Sequence, residues 1–222
     1  MSTERPPATS YDTRQRILDA ASEIFAKEGF ARATVRDICQ RAGANIAAVN
    51  YHFGDKEKLY GEVLLHTYQA MVERHPVAGG VRPEATVDER FAGFVRAFCR
   101  RVYSAGPEAY LSWLMAREMV EPSPVLDQVV NTLVRPQQQH LVAILKEMLG
   151  PNVPDEVLRS TMGCVIGQIL FFHHCRPVVE RLFPDRQGRN PDPDRLAEVI
   201  VTFSLPGLRA VRAKYARGGE GR

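Results

Sequence analysis

Several absences narrow this sequence before any motif is considered. No run of about 18 apolar residues occurs, which excludes a membrane-spanning helix. The polar stretch from Met1 to Ser10 holds Pro6 and Pro7 and lacks the apolar core of a signal peptide, so residues 1–10 read as a flexible arm and a cytoplasmic location is expected. The few cysteines, Cys39, Cys99, Cys164 and Cys175, show no CxxC spacing, and buried free thiols are the simplest expectation. No Ser-His-Asp pattern, phosphate-cradling glycine loop, HExxH motif or catalytically spaced carboxylate pair stands out. The chain therefore reads as a non-enzyme that needs no cofactor. Charge is also in short supply: the net value is +3, too weak an excess to mark a nucleic-acid binder by composition.

What is present is helical. The chain has 222 residues, 45% apolar and 25% charged, enough for one sizeable core or two modest ones. Apolar residues recur at spacings of three and four with no competing strand pattern, so an all-α fold of about nine helices is expected. From Thr13 to about Glu28 the apolar positions are Ile17, Leu18, Ala21, Ile24 and Phe25, and Gly29 closes that helix.

The stretch from Thr34 to Lys56 carries the most information. Thr34 can cap a helix whose apolar face is Val35, Ile38 and Ala42, and Gly43 can end it in the left-handed conformation. Asn45 can cap a second short helix in which only Val49 and Phe53 point inward. The rest of that helix begins with small residues, Ala47 and Ala48, so its outer face can lie close against another surface. Asn50 offers an amide able to pair bidentately with adenine, and Tyr51 and His52 offer groups that reach phosphates, which suits a DNA major groove. The arrangement is a helix-turn-helix.

These residues, with Ile17 to Ala21 and Phe25 to Phe30, resemble the DNA-binding domain of TetR-family transcriptional regulators. The resemblance covers roughly the first quarter of the chain; it departs at Ile46, where family members often carry Lys, and at Asn50, where many carry Tyr. It implies that Thr34, Arg36, Asn45, Ala47, Ala48, Asn50, Tyr51, His52 and Lys56 contact double-stranded operator DNA. Thr34 would meet a phosphate at a helix N-terminus, where free N–H groups and the helix dipole favour an anion. Lys56 would meet the backbone at the next N-terminus.

The expected organisation is an arm (1–10), a three-helix helix-turn-helix domain (11–56), a connector helix (57–78) and a C-terminal helical effector and dimerisation domain (79–222). The break at Pro76 to Pro83 marks the last boundary. Further helices are expected over Val87 to Ser104, Glu108 to Val120, Pro124 to Leu149 with a kink at Pro136, about Asp155 to Leu182, and about Asp192 to Tyr215, with a frayed end beyond. The last two are apolar or small on more than one face and need cover on both sides, so they are expected to form a two-fold homodimer through a four-helix packing. Such a dimer would present two reading helices to a palindromic operator.

A second resemblance lies in the C-terminal half. Arg117 to Pro122, Arg135-Pro136-Gln137, Ile166-Gly167-Gln168 and His174 to Val178 are similar to the effector domain of CecR-like members of the TetR family. That implies a repressor released from DNA by a small-molecule effector. Phe98, Tyr103, Tyr110, Trp113, Arg117, Glu118, Gln168 and Phe172 are the candidate ligand contacts, with two alternatives open. Arg117 and Glu118 can equally form a structural tie between helices, and Gln168 can pair across the dimer. A thiol- or metal-responsive regulator of the same fold, using Cys164, Cys175 and His174, is the competing reading. Consecutive His173 and His174 point about 100 degrees apart on a helix, which argues against one shared ion.

Overall fold

Helix α1 (Ser10–Arg32) opens the fold and carries a break at Gly29, whose φ of 80° and ψ of 168° interrupt the helical path before Phe30. The computed structural model describes residues 10–105 and 109–216. The arm residues 1–9, the Gly106-Pro107 turn and the expected frayed end from Arg217 lie outside the described residues. All the regular structure among the described residues is helical, as the apolar spacing requires.

After α1 come α2 (Val35–Ala42), α3 (Ile46–Phe53), α4 (Lys56–Arg74), α5 (Val87–Val102) and α6 (Tyr110–Glu118). A short α7 (Leu126–Val129) leads through a π-helical turn (Val130–Val134) into α8 (Arg135–Leu149). Then follow α9 (Asp155–His174), α10 (Arg176–Leu182) and α11 (Pro193–Ala216).

Two expected helices are divided, each by a proline. Pro136 sits in the first turn of α8. It has no N–H, and its ring crowds the carbonyl four residues back, at Thr132, so the upstream helix widens into the π turn and does not simply bend. Pro177 likewise sits in the first turn of α10, and the stretch expected as one helix from about 155 to 182 breaks at Cys175, with φ −94° and ψ 15°. Here the missing N–H would have bonded His173, so α9 ends where its ladder fails.

The chain folds as two compact units that are not simply successive: Met1–Ala70 with Gly106–Leu133, and Met71–Ala105 with Val134–Arg222. In the first, α1 packs on α2 and α3, and Ile17, Leu18, Ala21 and Phe25 are buried together with Ile38, Val49, Leu59 and Tyr60, with the Phe25 ring 4.8 Å from that of Tyr60. Burying each of the larger aliphatic or phenyl side chains among them contributes roughly 1.5–3 kcal/mol. Helix α6 also packs on α1. In the second, α5, α8, α9 and α11 enclose a core of Phe91, Phe94, Leu141, Leu145, Ile169 and Ile200 with their neighbours. A Thr86–Glu89 capping box starts α5.

The cysteines depart from expectation in part. Cys39 and Cys99 are buried free thiols, whereas Cys175 is half-buried and Cys164 is exposed on α9. Cys164 falls on a stripe with Gly163, Gly167 and Phe171 that this chain leaves uncovered. No helix among the described residues is long and apolar enough to cross a membrane.

Candidate nucleic-acid interface

The geometry of α2 and α3 is set by their ends. Thr34 is extended, with φ −114° and ψ 148°, and its Oγ1 accepts the Asp37 N–H at 3.2 Å. The same hydroxyl donates to the Asp37 carboxylate. Gly43 then takes φ 60° and ψ 40°, a left-handed conformation that a β-carbon disfavours, and lets the chain reverse after one residue. Asn45 accepts the Ala48 N–H at 2.8 Å and starts α3. Removing such a cap costs about 1 kcal/mol.

Helix α3 is anchored on one side and bare on the other. Val49 is fully buried and Phe53 is 6% exposed. The Arg14 guanidinium lies 5.2 Å from the Phe53 ring and pairs with Glu62 at 2.7 Å, which closes that side. Ile46, Ala47, Asn50 and Tyr51 make up the open face, with Tyr51 82% exposed. The His52 ring is half-buried and sits edge-on to Tyr51 at 5.0 Å. Ala48 is half-buried, and Thr34, Arg36 and Asn45 are exposed. Lys56 is already engaged: its Nζ lies 4.5 Å over the Phe30 ring and 3.4 Å from the Ala31 carbonyl, so it ties the start of α4 to the end of α1. Asp55 caps α4 by accepting the Lys58 N–H at 2.8 Å, and that bond lowers its pKa.

A buried polar cluster holds α6 in the same unit. Glu118, 1% exposed, accepts the Tyr60 hydroxyl at 2.8 Å and the Ser123 N–H and hydroxyl at 3.1 and 3.0 Å. Burial, and then the Glu118 carboxylate, push the Tyr60 phenol pKa far upward, so Tyr60 stays a donor. The neighbouring Arg117 donates from Nε to the Ala26 carbonyl at 3.1 Å and from a terminal nitrogen to the Lys27 carbonyl. It thereby satisfies acceptors that the break at Gly29 would leave open. A β-carbon on Gly29 would stand 3.2 Å from that guanidinium. Nothing local in the sequence pointed to Tyr60 or Ser123, because Tyr60 falls on an ordinary core position of α4.

The candidate ligand residues divide between the units. Tyr110, Trp113, Arg117 and Glu118 belong with α1 to α3, whereas Phe98, Tyr103, Gln168 and Phe172 belong to the other unit. There the Tyr103 hydroxyl donates to the Ile169 carbonyl at 2.6 Å, and Gln168 donates to the Cys164 carbonyl at 3.1 Å and to Ser204 Oγ at 3.3 Å. Arg101, 4% exposed, donates to the His75 carbonyl at 2.9 Å and to Gln137 at 3.1 Å, with the Phe98 ring 5.4 Å away. The sequence reading missed Arg101. A charged residue among the apolar positions of α5 was the available signal. His173 is buried, and desolvation, then His174 and Arg176, bring its pKa down to about 4. Among the described residues no group of three His, Cys, Asp or Glu side chains could hold a metal ion.

Comparison with known proteins agrees with this architecture. Residues 17–63 match the model of bacterial regulatory proteins of the tetR family, and residues 87–208 match that of the C-terminal domain of the HTH-type transcriptional dual regulator CecR. The CecR dual regulator of Shigella flexneri is 27% identical over 173 residues, 72% of this chain and 74% of that protein. The HTH-type transcriptional repressor Rv1474c of Mycobacterium tuberculosis is 26% identical over 191 residues, 84% and 88% of the two chains. Among solved structures, the transcriptional regulator FadR from Bacillus subtilis in complex with stearoyl-CoA superposes with a TM-score of 0.63 over 87% of this chain and 98% of that one. At 19% identity that likeness shows the fold alone.

Proposed function

We propose, because this chain belongs to the TetR family of bacterial transcriptional regulators and carries a C-terminal domain of the CecR type, that it is a ligand-responsive repressor acting as a homodimer on a palindromic operator. The observation that carries the reading is the bare face of α3, on which Asn50 and Tyr51 stand out from a helix anchored by Val49 and Phe53. In this reading residues 11–56 form the DNA-binding domain. Thr34, Arg36, Asn45, Ala47, Tyr51 and His52 position the duplex, Ala48 lets the helix approach closely, and Asn50 reads an adenine. Lys56 holds the end of α1 in place and meets a phosphate from there.

Dimerisation is assigned to α9 and α11. Gly163, Cys164, Gly167 and Phe171 on one helix, and Val199, Phe203 and Gly207 on the other, are exposed apolar or small positions. A β-carbon at any of these three glycines would meet nothing within 4 Å, so the face has room for a closely packed second copy.

The effector is assigned to the C-terminal unit, where Phe98 and Phe172 offer apolar surface, and Tyr103 and Gln168 would have to exchange their bonds to Ile169, Cys164 and Ser204 to reach it. The solved relative bound to stearoyl-CoA supports an effector with an apolar body. Arg117 and Glu118 take the structural option, because both are saturated by α1, Tyr60 and Ser123. Operator and effector must weaken one another by the same factor. A cytoplasmic location follows from a genomic target.

The test is selection of bound duplexes from fragmented genomic DNA by the purified full chain at a stated salt concentration. A palindromic motif near a few promoters is expected. No enriched motif, from protein refolded free of any carried-over ligand, sinks the reading.

A further inference from the structure

Ile46 is an anomaly on the face just described. It is a branched apolar residue, 51% exposed, at the first position of α3, while the other branched residue of that helix, Val49, is fully buried. Nothing in the α2–α3 turn requires it. Asn45 provides the cap through its side chain, and the inward anchors are Val49 and Phe53. Leaving such a side chain in water forfeits roughly half of the burial free energy it could contribute.

Its position suggests what covers it. The N-terminal residues of a helix-turn-helix reading helix are those that meet base edges. Ile46 and Asn50 are four residues apart on the same exposed side of α3. The neighbouring Ala47 is small, so the longer Ile46 side chain projects beyond the surface around it. In the major groove the base edges offer hydrogen-bond donors and acceptors, and the one apolar group that projects from them is the C5-methyl of thymine; the cytosine C5–H at the same place is too short to fill that contact. An isoleucine placed against a donor or acceptor would leave a polar group unpaired and desolvated.

We propose, building on the DNA-reading assignment of α3, that Ile46 is a specificity-determining residue that selects a thymine in each half-site through its C5-methyl group. The step along α3 from Ile46 to Asn50 is about 6 Å, between one and two base-pair steps of about 3.4 Å. The selected thymine therefore lies within two base pairs of the adenine paired with Asn50. The operator half-site contains both letters, read by side chains of opposite polarity from one helical turn.

The decisive experiment uses the selected operator and replaces each thymine in turn by deoxyuridine, which removes the methyl group and leaves the pairing unchanged. For the wild-type chain, one thymine per half-site is expected to be sensitive, with about a three- to tenfold loss of affinity per half-site. Ile46→Ala is expected to bind the thymine and deoxyuridine duplexes equally, and Ile46→Val to keep a reduced preference. Circular dichroism of each variant checks that the helix content is retained. A deoxyuridine effect of the same size in Ile46→Ala, or no sensitive thymine for a wild-type chain that does show a sequence preference, overturns the proposal while the DNA-reading assignment stands. A wild-type chain with no sequence preference at all removes both.

Discussion

The two units of this chain differ in the charged groups they bury and in the bare helical face that each exposes. The unit that contains α3 buries a carboxylate, Glu118, and exposes a face of small and polar side chains with one isoleucine. The other buries a guanidinium, Arg101, and an imidazole, His173, and exposes an apolar face on α9 and α11 that includes Phe171, Val199 and Phe203. Under the proposed function, the contrast follows from what each surface would meet. A polyanionic duplex is met by polar groups on a helix slim enough to enter a groove, whereas a second protein copy is met by apolar surface free of charge. The interior polar groups serve neither surface directly. Two of them join helices distant in sequence: Glu118 of α6 to Tyr60 of α4, and Arg101 of α5 to Gln137 of α8.

The most severe way to break this contrast is to give the apolar face a charge. Phe203→Asp on α11 would place two unpaired carboxylates in the proposed symmetric interface, and self-association is expected to weaken by on the order of a thousandfold, about 4 kcal/mol. Sedimentation velocity over a concentration series measures it, and an unchanged association constant would remove α11 from the interface. Operator affinity should fall in parallel, because a monomer presents only one α3.

Next in size is the buried carboxylate. Glu118→Ala leaves the Tyr60 hydroxyl and both Ser123 donors without their acceptor, and is expected to lower the free energy of unfolding by about 3 kcal/mol. Urea titration at neutral pH reads the change. A shift under about 1 kcal/mol would mean that water replaces the carboxylate and that the cluster is not sealed.

The buried imidazole should respond to pH in a way set by the direction of its shift. The folded-state pKa of His173 lies near 4, below the ordinary 6.5, so the folded chain holds it neutral while the unfolded chain protonates it first. Its contribution is complete above about pH 6.5 and is lost as pH falls toward 4. Between pH 7.5 and pH 5 the loss is expected to be about 2 kcal/mol. His140, also lowered by desolvation, adds in the same direction. Denaturation midpoints of wild type and His173→Phe across this range isolate its contribution. If both lose the same stability, His173 is not its source.

The smallest expected effects sharpen the reading face. Asn50→Ala should relax preference at one base position by about 1–3 kcal/mol. Tyr51→Ala should weaken binding to all duplexes about equally, by roughly 1 kcal/mol. Binding to a panel of single-base operator variants separates them, and an unchanged preference in Asn50→Ala would end its readout role. Neither substitution should alter thermal stability, since both side chains are exposed.

The parts of the fold that were legible are those governed by short-range chemistry. Thr34, Gly43 and Asn45 mark the ends of α2 and α3 because a cap bonds within three residues of itself. Pro136 and Pro177 disrupt helices by removing a bond to a carbonyl four residues back, although the sequence suggested a kink at the first and did not reveal the break at the second. The missed partners are distant in sequence. Tyr60 and Glu118 are separated by 58 positions, and no periodicity shows that a core tyrosine hydroxyl meets that carboxylate. The exposure of Cys164 was misjudged for a related reason. An apolar stripe on α9 looks the same in sequence whether this chain covers it or leaves it open.

By itself, the sequence determined that the chain is helical, where α2 and α3 begin and end, and which family it resembles, because periodicity, caps and turn glycines act over one or two helical turns. Only the tertiary structure decided that α6 joins the unit containing α3, that Glu118 and Arg117 are used up holding it there, and that Ile46 is left in water beside Asn50. Burial and pairing depend on which distant segments come to lie against a residue, and neighbours in the chain do not specify that.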